Sequence, residues 1–94
     1  MTRDAAFYFA NLGADVSRCI VAAREGNEVR YEDSLSRAYH TLEELHKTAR
    51  PEAYEEGLLM LRGLALARKS PESLSSFQSS LNSLISVFAA RFVV

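Results

Sequence analysis

The sequence is poor in several residue types, with one cysteine, no tryptophan and only two prolines among 94 residues. Cys19 has no second cysteine to pair with, which excludes the disulfide-stabilised class of secreted domains. No run of about 18 or more residues is continuously apolar, so the sequence predicts no transmembrane helix. Asp4 follows Arg3 directly, and no long apolar run leads to a cleavage site, so we expect no secretory signal. Together these absences favour a soluble protein of the cytoplasm.

The charge of the chain is also small. Eleven basic residues face 12 acidic ones, giving a formal net charge of −1. This balance gives no electrostatic reason to expect binding to nucleic acid or to an acidic membrane. Hydrophobic residues make up 48% of the chain and charged residues 24%, which is typical of a globular protein. We expect a single four-helix domain over residues 1–94.

Four segments repeat apolar residues with the three-four spacing of one helix face. The predicted helices lie at about 4–25, 28–49, 51–68 and 71–92. Asn27 is a predicted N-cap, Pro51 suits a first helical position, and Ser70-Pro71-Glu72 combines a cap, a first-position proline and an acid. Because the connections are very short, sequential helices should be antiparallel neighbours. The sequence therefore predicts an all-α, up-down-up-down antiparallel four-helix bundle.

The apolar positions that recur on one face of each helix form the predicted core. They are Ala5, Phe9, Leu12, Val16, Cys19 and Ala23 in the first helix, and Tyr31, Leu35, Ala38, Leu42, Leu45 and Ala49 in the second. In the third they are Tyr54, Leu58, Leu61 and Ala65, and in the fourth Leu74, Phe77, Leu81, Leu84 and Phe88. A further apolar line on the first helix, Phe7, Ala10, Ala14 and Val21, lies off this face.

A weak internal similarity supports an alternative arrangement. The segment REGNEVRYEDSL, from Arg24 to Leu35, aligns with RKSPESLSSFQSSL, from Arg68 to Leu81, if two residues are inserted. Such a duplication would give two stacked helical hairpins, similar to a tetratricopeptide pair but with a period well beyond ~34 residues. Equally spaced helix faces also align by chance, so the alternative stays open.

Two helices have surfaces that a lone bundle does not require. The run GLLMLRGLALA, from Gly57 to Ala67, has one charged residue, and Leu59, Gly63 and Leu66 form a second apolar line on it. Between Glu72 and Arg91 the fourth helix has no charged residue, and serines fill its outer positions. Such a face permits close packing without burying charge. A centrally placed third helix and an ordinary solvated serine face are the simpler explanations.

The favoured hypothesis is a non-enzymatic protein–protein interaction module that forms a homodimer through the third and fourth helices. A different protein partner on the same surface is the variant of this hypothesis. The predicted interface residues are Leu59, Gly63, Leu66, Ser76, Ser79, Ser80, Ser83 and Phe92.

Candidate chemistry is sparse, and the sequence predicts no catalytic residue and no cofactor. Glu43 and His46 form a Glu-x-x-His pair of the type that di-iron bundles use twice, together with further glutamates. The pair occurs once here, so a metal-binding bundle is the alternative function rather than the favoured one. A nucleic-acid-associated regulator is a third hypothesis, although the helix dipole alone accounts for Lys47, Arg50, Arg68 and Lys69 at helix ends.

Overall fold

The computed structural model describes the backbone of residues 4–92 and the side chains of residues 4–85. Within that range the chain forms four α-helices and no strand: α1 (Ala5–Arg24), α2 (Glu28–His46), α3 (Pro51–Ala67) and α4 (Pro71–Phe92). The helices pack into an all-α four-helix bundle, as the sequence predicts. None of the helices in the described range is both long enough and apolar enough to span a membrane.

Polar contacts show that α1 is antiparallel to α2 and to α4, and that α2 is antiparallel to α3. Along α1 and α2 the order of contacts is reversed, because Cys19 meets Tyr31 whereas Asp15 meets Thr41. Arg24, at the end of α1, donates a hydrogen bond to the hydroxyl of Ser75 in the first turns of α4, over 2.8 Å. Arg68, just after α3, pairs with Glu28 at the start of α2. Both contacts join a helix end to a helix start, which is the arrangement of an up-down-up-down bundle.

The helices are not equivalent in their neighbours. Helix α1 contacts each of the other three helices, whereas α2 and α4 share no contact in the described part of the chain. Helix α3 also contacts all three others, but its packing against α1 is less extensive than the packing of α2 against α1. The bundle is therefore flattened: α1 and α3 meet across its short diagonal, and α2 and α4 occupy the far corners.

Three of the helices begin with a side-chain cap. The Asp4 carboxylate accepts a hydrogen bond from the Phe7 amide at 3.0 Å, and the Asn27 side-chain oxygen accepts one from the Arg30 amide at 3.1 Å. The Ser70 hydroxyl accepts a hydrogen bond from the amide of Ser73 at 3.1 Å. Such caps satisfy amides that have no partner inside the helix. The predicted caps at positions 27 and 70 are confirmed.

Helix α2 ends at His46, three residues before the predicted end. Residues 47–49 form a turn, and Ala49 is exposed with a φ of 60°, so it does not belong to the core as the sequence suggested. The cause is Pro51, because a proline disfavours helical backbone at the residue before it, which here is Arg50. Pro51 therefore ends any continuation of α2 and starts α3.

The core of α3 is rotated by about one position from the predicted face. Ala65 is exposed, and Tyr54 and Leu58 are only half-buried, whereas Leu61 is buried as predicted. The buried residues of α3 are Ala53, Gly57, Met60, Leu61, Leu64 and Ala67. In α1 the predicted positions Ala5, Phe9, Leu12, Val16 and Cys19 are all buried, and Ala23 is half-buried.

Candidate functional site

A groove runs between α3 and α4 on the outside of the bundle. Its volume is about 360 Å³, and we refer to it as the α3/α4 groove. Its lining combines apolar and small uncharged side chains: Gly63, Leu66, Ala67, Ser73, Ser76, Phe77 and Ser80. Four of the predicted interface residues, at positions 63, 66, 76 and 80, therefore line one groove.

The remaining predicted interface residues lie around this groove or beyond the described side chains. Leu59 is 55% exposed and Leu66 is 64% exposed, so two large apolar side chains of α3 face solvent in the monomer. Ser79 and Ser83 are exposed on the outer face of α4. The side chain of Phe92 lies outside the described residues.

Gly63 allows α4 to approach α3 closely. A Cβ atom at this position would lie 2.7 Å from Cε1 of Phe77, which is closer than such atoms approach in proteins. The notch that the sequence suggests at Gly63 is therefore filled by Phe77 of the same chain rather than left open. The half-buried Phe77 ring forms part of the lining of the α3/α4 groove.

A second groove lies between α1 and α2, with a volume of about 490 Å³, and is named the α1/α2 groove. It is lined by Phe7, Tyr8, Asn11, Asp15, Ser36, Arg37, His40, Thr41 and Glu44. The sequence did not indicate this groove. A neighbouring cavity of about 460 Å³ shares Tyr8 and Glu44 with it.

Asp15 is the buried charged residue of the described core, with 7% of its surface exposed. Its two carboxylate oxygens accept different hydrogen bonds, one from Nη1 of Arg18 and one from the hydroxyl of Thr41, both at 3.0 Å. Because burying a carboxylate is costly unless it is paired, these two donors are what allow Asp15 to lie there. In the sequence, the only indication that Asp15 is buried is its position three residues after Leu12, at the edge of an apolar helix face.

The two candidate metal ligands lie on the surface of α2. Glu43 and His46 are both exposed. The His46 ring stacks on Tyr54 of α3, with centroids 4.2 Å apart and planes at 26°. Among the described residues, no group of three or more histidine, cysteine or acidic side chains is arranged to hold a metal ion. His46 therefore packs against Tyr54. Within the described residues, no third side chain joins Glu43 and His46 as a metal ligand.

Cys19 is fully buried, and its thiol lies 3.9 Å from the carbonyl oxygen of Tyr31, to which it donates a weak hydrogen bond. Burial raises the pKa of Cys19 to about 11, and the negative charge of Asp15 adds to the rise. A thiol of this kind stays protonated at neutral pH and is a poor nucleophile. The guanidinium of Arg68 covers the ring of Tyr31 at 3.7 Å from its centroid, which joins α2 to the end of α3.

Comparison of the chain with protein-family models, with curated proteins and with solved structures finds no match. The main surface features of the described residues are the two grooves and the exposed apolar side chains of α3.

Proposed function

We propose that this protein is a non-enzymatic interaction module that forms a homodimer through α3 and α4. The supporting observation is the exposure of Leu59 and Leu66 next to a helix that has no charged residue from Ser73 to Ile85. Large apolar side chains and an uncharged neighbouring face together form a surface that is favourable to cover.

Covering this surface contributes favourably to the free energy of association. Fully burying an exposed leucine is worth roughly 1.5–3 kcal/mol, and a symmetric dimer covers the same two leucines in each copy. The serines Ser76 and Ser80 add little volume and no charge, so covering them carries a much smaller desolvation cost than covering ion pairs would. The leucines of one copy would therefore enter the α3/α4 groove of the other.

The small net charge of the chain is compatible with a second copy of itself as the partner. With a net charge of −1, two copies repel each other weakly. Arg62 is exposed on α3, three residues after Leu59 and four before Leu66, so it shares their side of the helix. Its long side chain would extend to the edge of the proposed interface and keep its charge in water. We place the protein in the cytoplasm, because its buried, unpaired thiol at Cys19 is compatible with a reducing compartment.

The test is the mass of the particle in solution, measured by size-exclusion chromatography with light scattering across a concentration range. We expect a dimer at high micromolar concentration and a shift to monomer in the double variant Leu59→Lys, Leu66→Lys. Four lysines placed in one interface would face an uncharged surface, and the dimer should weaken by at least about a hundredfold.

The matched control is Val29→Lys, because Val29 is 80% exposed on α2 and lies outside the α3/α4 groove. This variant should remain dimeric. A wild-type chain that is monomeric at high micromolar concentration would refute homodimer formation. Equal loss of the dimer in the control and in the double variant would show that the interface lies elsewhere.

A further inference from the structure

The α1/α2 groove has the size and composition of a small-molecule site. Its volume of about 490 Å³ lies within the range of about 300–1,000 Å³ that is usual for ligand pockets. In helical bundles such sites form between facing helices, as this one does between α1 and α2. It shares no lining residue with the α3/α4 groove, so it is independent of the proposed dimer interface.

The two carboxylates of this groove already have cationic partners. Asp15 accepts hydrogen bonds from Arg18 and Thr41, as described above. Glu44 pairs with Lys47, with 3.2 Å between Nζ and Oε1. Asp15 and Glu44 are therefore each paired with a cation that lies outside the groove lining. Neither carboxylate forms an ion pair with Arg37 or His40.

The two groups that can carry positive charge in the groove have no such partner. Arg37 and His40 lie three residues apart on α2, the spacing that places both on one side of a helix, and both line the groove. Within the described part of the chain, neither side chain forms an ion pair or a hydrogen bond. The unbalanced charge of the groove is therefore positive and comes from α2.

The opposite wall of the groove is aromatic. Phe7 is 39% exposed, and its ring meets that of Tyr8 edge to face, with centroids 5.3 Å apart. The Asn11 amide lies one turn further along the same helix. An aromatic wall facing unpaired donors suits a molecule with a planar apolar body and an anionic end.

We propose that the α1/α2 groove binds a small aromatic molecule that carries one carboxylate or phosphate group. The Arg37 guanidinium pairs with the oxyanion, for which its planar donors are well suited, and a ring N–H of His40 donates a second hydrogen bond. The planar body packs against Phe7 and Tyr8. Arg37 and His40 lie together on α2, so the ligand bears its negative charge at one end only.

The experiment titrates the ¹⁵N-labelled full chain with four probes: benzoate, phenyl phosphate, inorganic phosphate and benzylammonium. We expect saturable amide shifts in the groove-lining segments of α1 and α2 with at least one of the two aromatic anions. The tighter of the two identifies the oxyanion. Inorganic phosphate should bind at least about tenfold more weakly, because it cannot use the aromatic wall.

Arg37→Gln should weaken binding of the tighter aromatic anion by about tenfold or more, since it removes a charge-assisted contact. Lys69→Gln is the matched control: it removes an exposed cation that lines neither groove and should leave binding unchanged. Thermal melts of both variants show whether the fold is retained. The proposal is overturned if neither aromatic anion gives saturable shifts, or if benzylammonium binds as tightly as they do. Equal affinities of wild type and Arg37→Gln would also overturn it.

Discussion

The burial of Cys19 affects how the stability of the protein depends on pH. Cys19 lies one helical turn from Asp15 on α1, is fully buried and donates a weak hydrogen bond to the backbone carbonyl of Tyr31. Burial raises its pKa from 9.0 to about 11, with the Asp15 carboxylate as the second cause. Burial also raises the pKa of Tyr31. The folded state therefore retains both protons at a pH where the unfolded chain begins to release them.

This difference predicts a loss of stability at alkaline pH. A group whose pKa is higher in the folded state contributes its full share of stability below the unfolded-state pKa and loses it as the pH rises through the folded-state pKa. For Cys19 the free energy of unfolding should fall between about pH 9 and pH 11. Urea unfolding followed by circular dichroism at several pH values measures this slope.

The variant Cys19→Ala isolates the contribution of the thiol. Removing the sulfur leaves a small cavity and lowers stability at every pH, by about 1 kcal/mol or more. The decline above pH 9 should nevertheless be shallower than in the wild type, because no thiol ionises. Tyr31 still contributes in this variant, so the slope should decrease rather than vanish. Identical slopes in the two proteins would contradict the assignment.

At the scale of helices, glycines on α3 mark where neighbours come close. A Cβ atom at Gly57 would lie 2.8 Å from Leu42, 2.9 Å from Leu12 and 3.3 Å from Leu45, all of them buried. At Gly63 the closest neighbour of such an atom is instead Phe77, which is half-buried. The same substitution should therefore have different effects at these two positions.

We expect Gly57→Ala to destabilise the protein by about 1 kcal/mol net, because overpacking of about 1–3 kcal/mol exceeds the gain in helix propensity of about 1 kcal/mol. Gly63→Ala should be within about 0.5 kcal/mol of the wild type or more stable, since the Phe77 ring can turn toward solvent. Urea unfolding of the two variants gives the comparison. A Gly57→Ala protein that is more stable than Gly63→Ala would contradict this account of the packing.

The same helix shows the limit of prediction from periodicity. In α1 the polar positions Asn11 and Arg18 break the apolar pattern and define the buried face, so residues such as Leu12 and Val16 were assigned correctly. From Gly57 to Ala67, α3 has one charged residue, and apolar side chains occur all around it. Its orientation is set by where neighbouring leucines meet Gly57, which the spacing of residues within α3 does not reveal.

The two grooves also differ in how far the sequence predicts them. The line of Leu59 and Leu66 is recognisable in the sequence of α3 alone, and both side chains are exposed in the structure. The α1/α2 groove was not predicted, since its lining depends on which residues of two helices face each other. The hydrogen bond that Thr41 of α2 donates to Asp15 of α1 likewise depends on how the two helices face each other.

At the scale of the whole molecule, association and stability should be linked. A chain of 94 residues has limited capacity to bury surface, so a partner that binds only the folded form adds appreciably to its stability. The thermal midpoint of the wild type should rise by several degrees between about 1 and 100 µM. The variant Leu59→Lys, Leu66→Lys should melt at a midpoint independent of concentration. Differential scanning fluorimetry over this range is the measurement, and a constant wild-type midpoint would argue against dimer-linked stability.

The packing of α1 against every other helix has a consequence for how the chain folds during synthesis. Helix α2 follows it closely, but α4 begins only at Pro71, so the side of α1 at Gly13 meets Ile85 only after α1, α2 and α3 have been synthesised. Until then one flank of α1 is apolar and uncovered, a condition that exposes nascent chains to aggregation and to chaperones. Before that point the native contacts of α1 are those with α2 and α3, and closure of the bundle depends on the synthesis of α4.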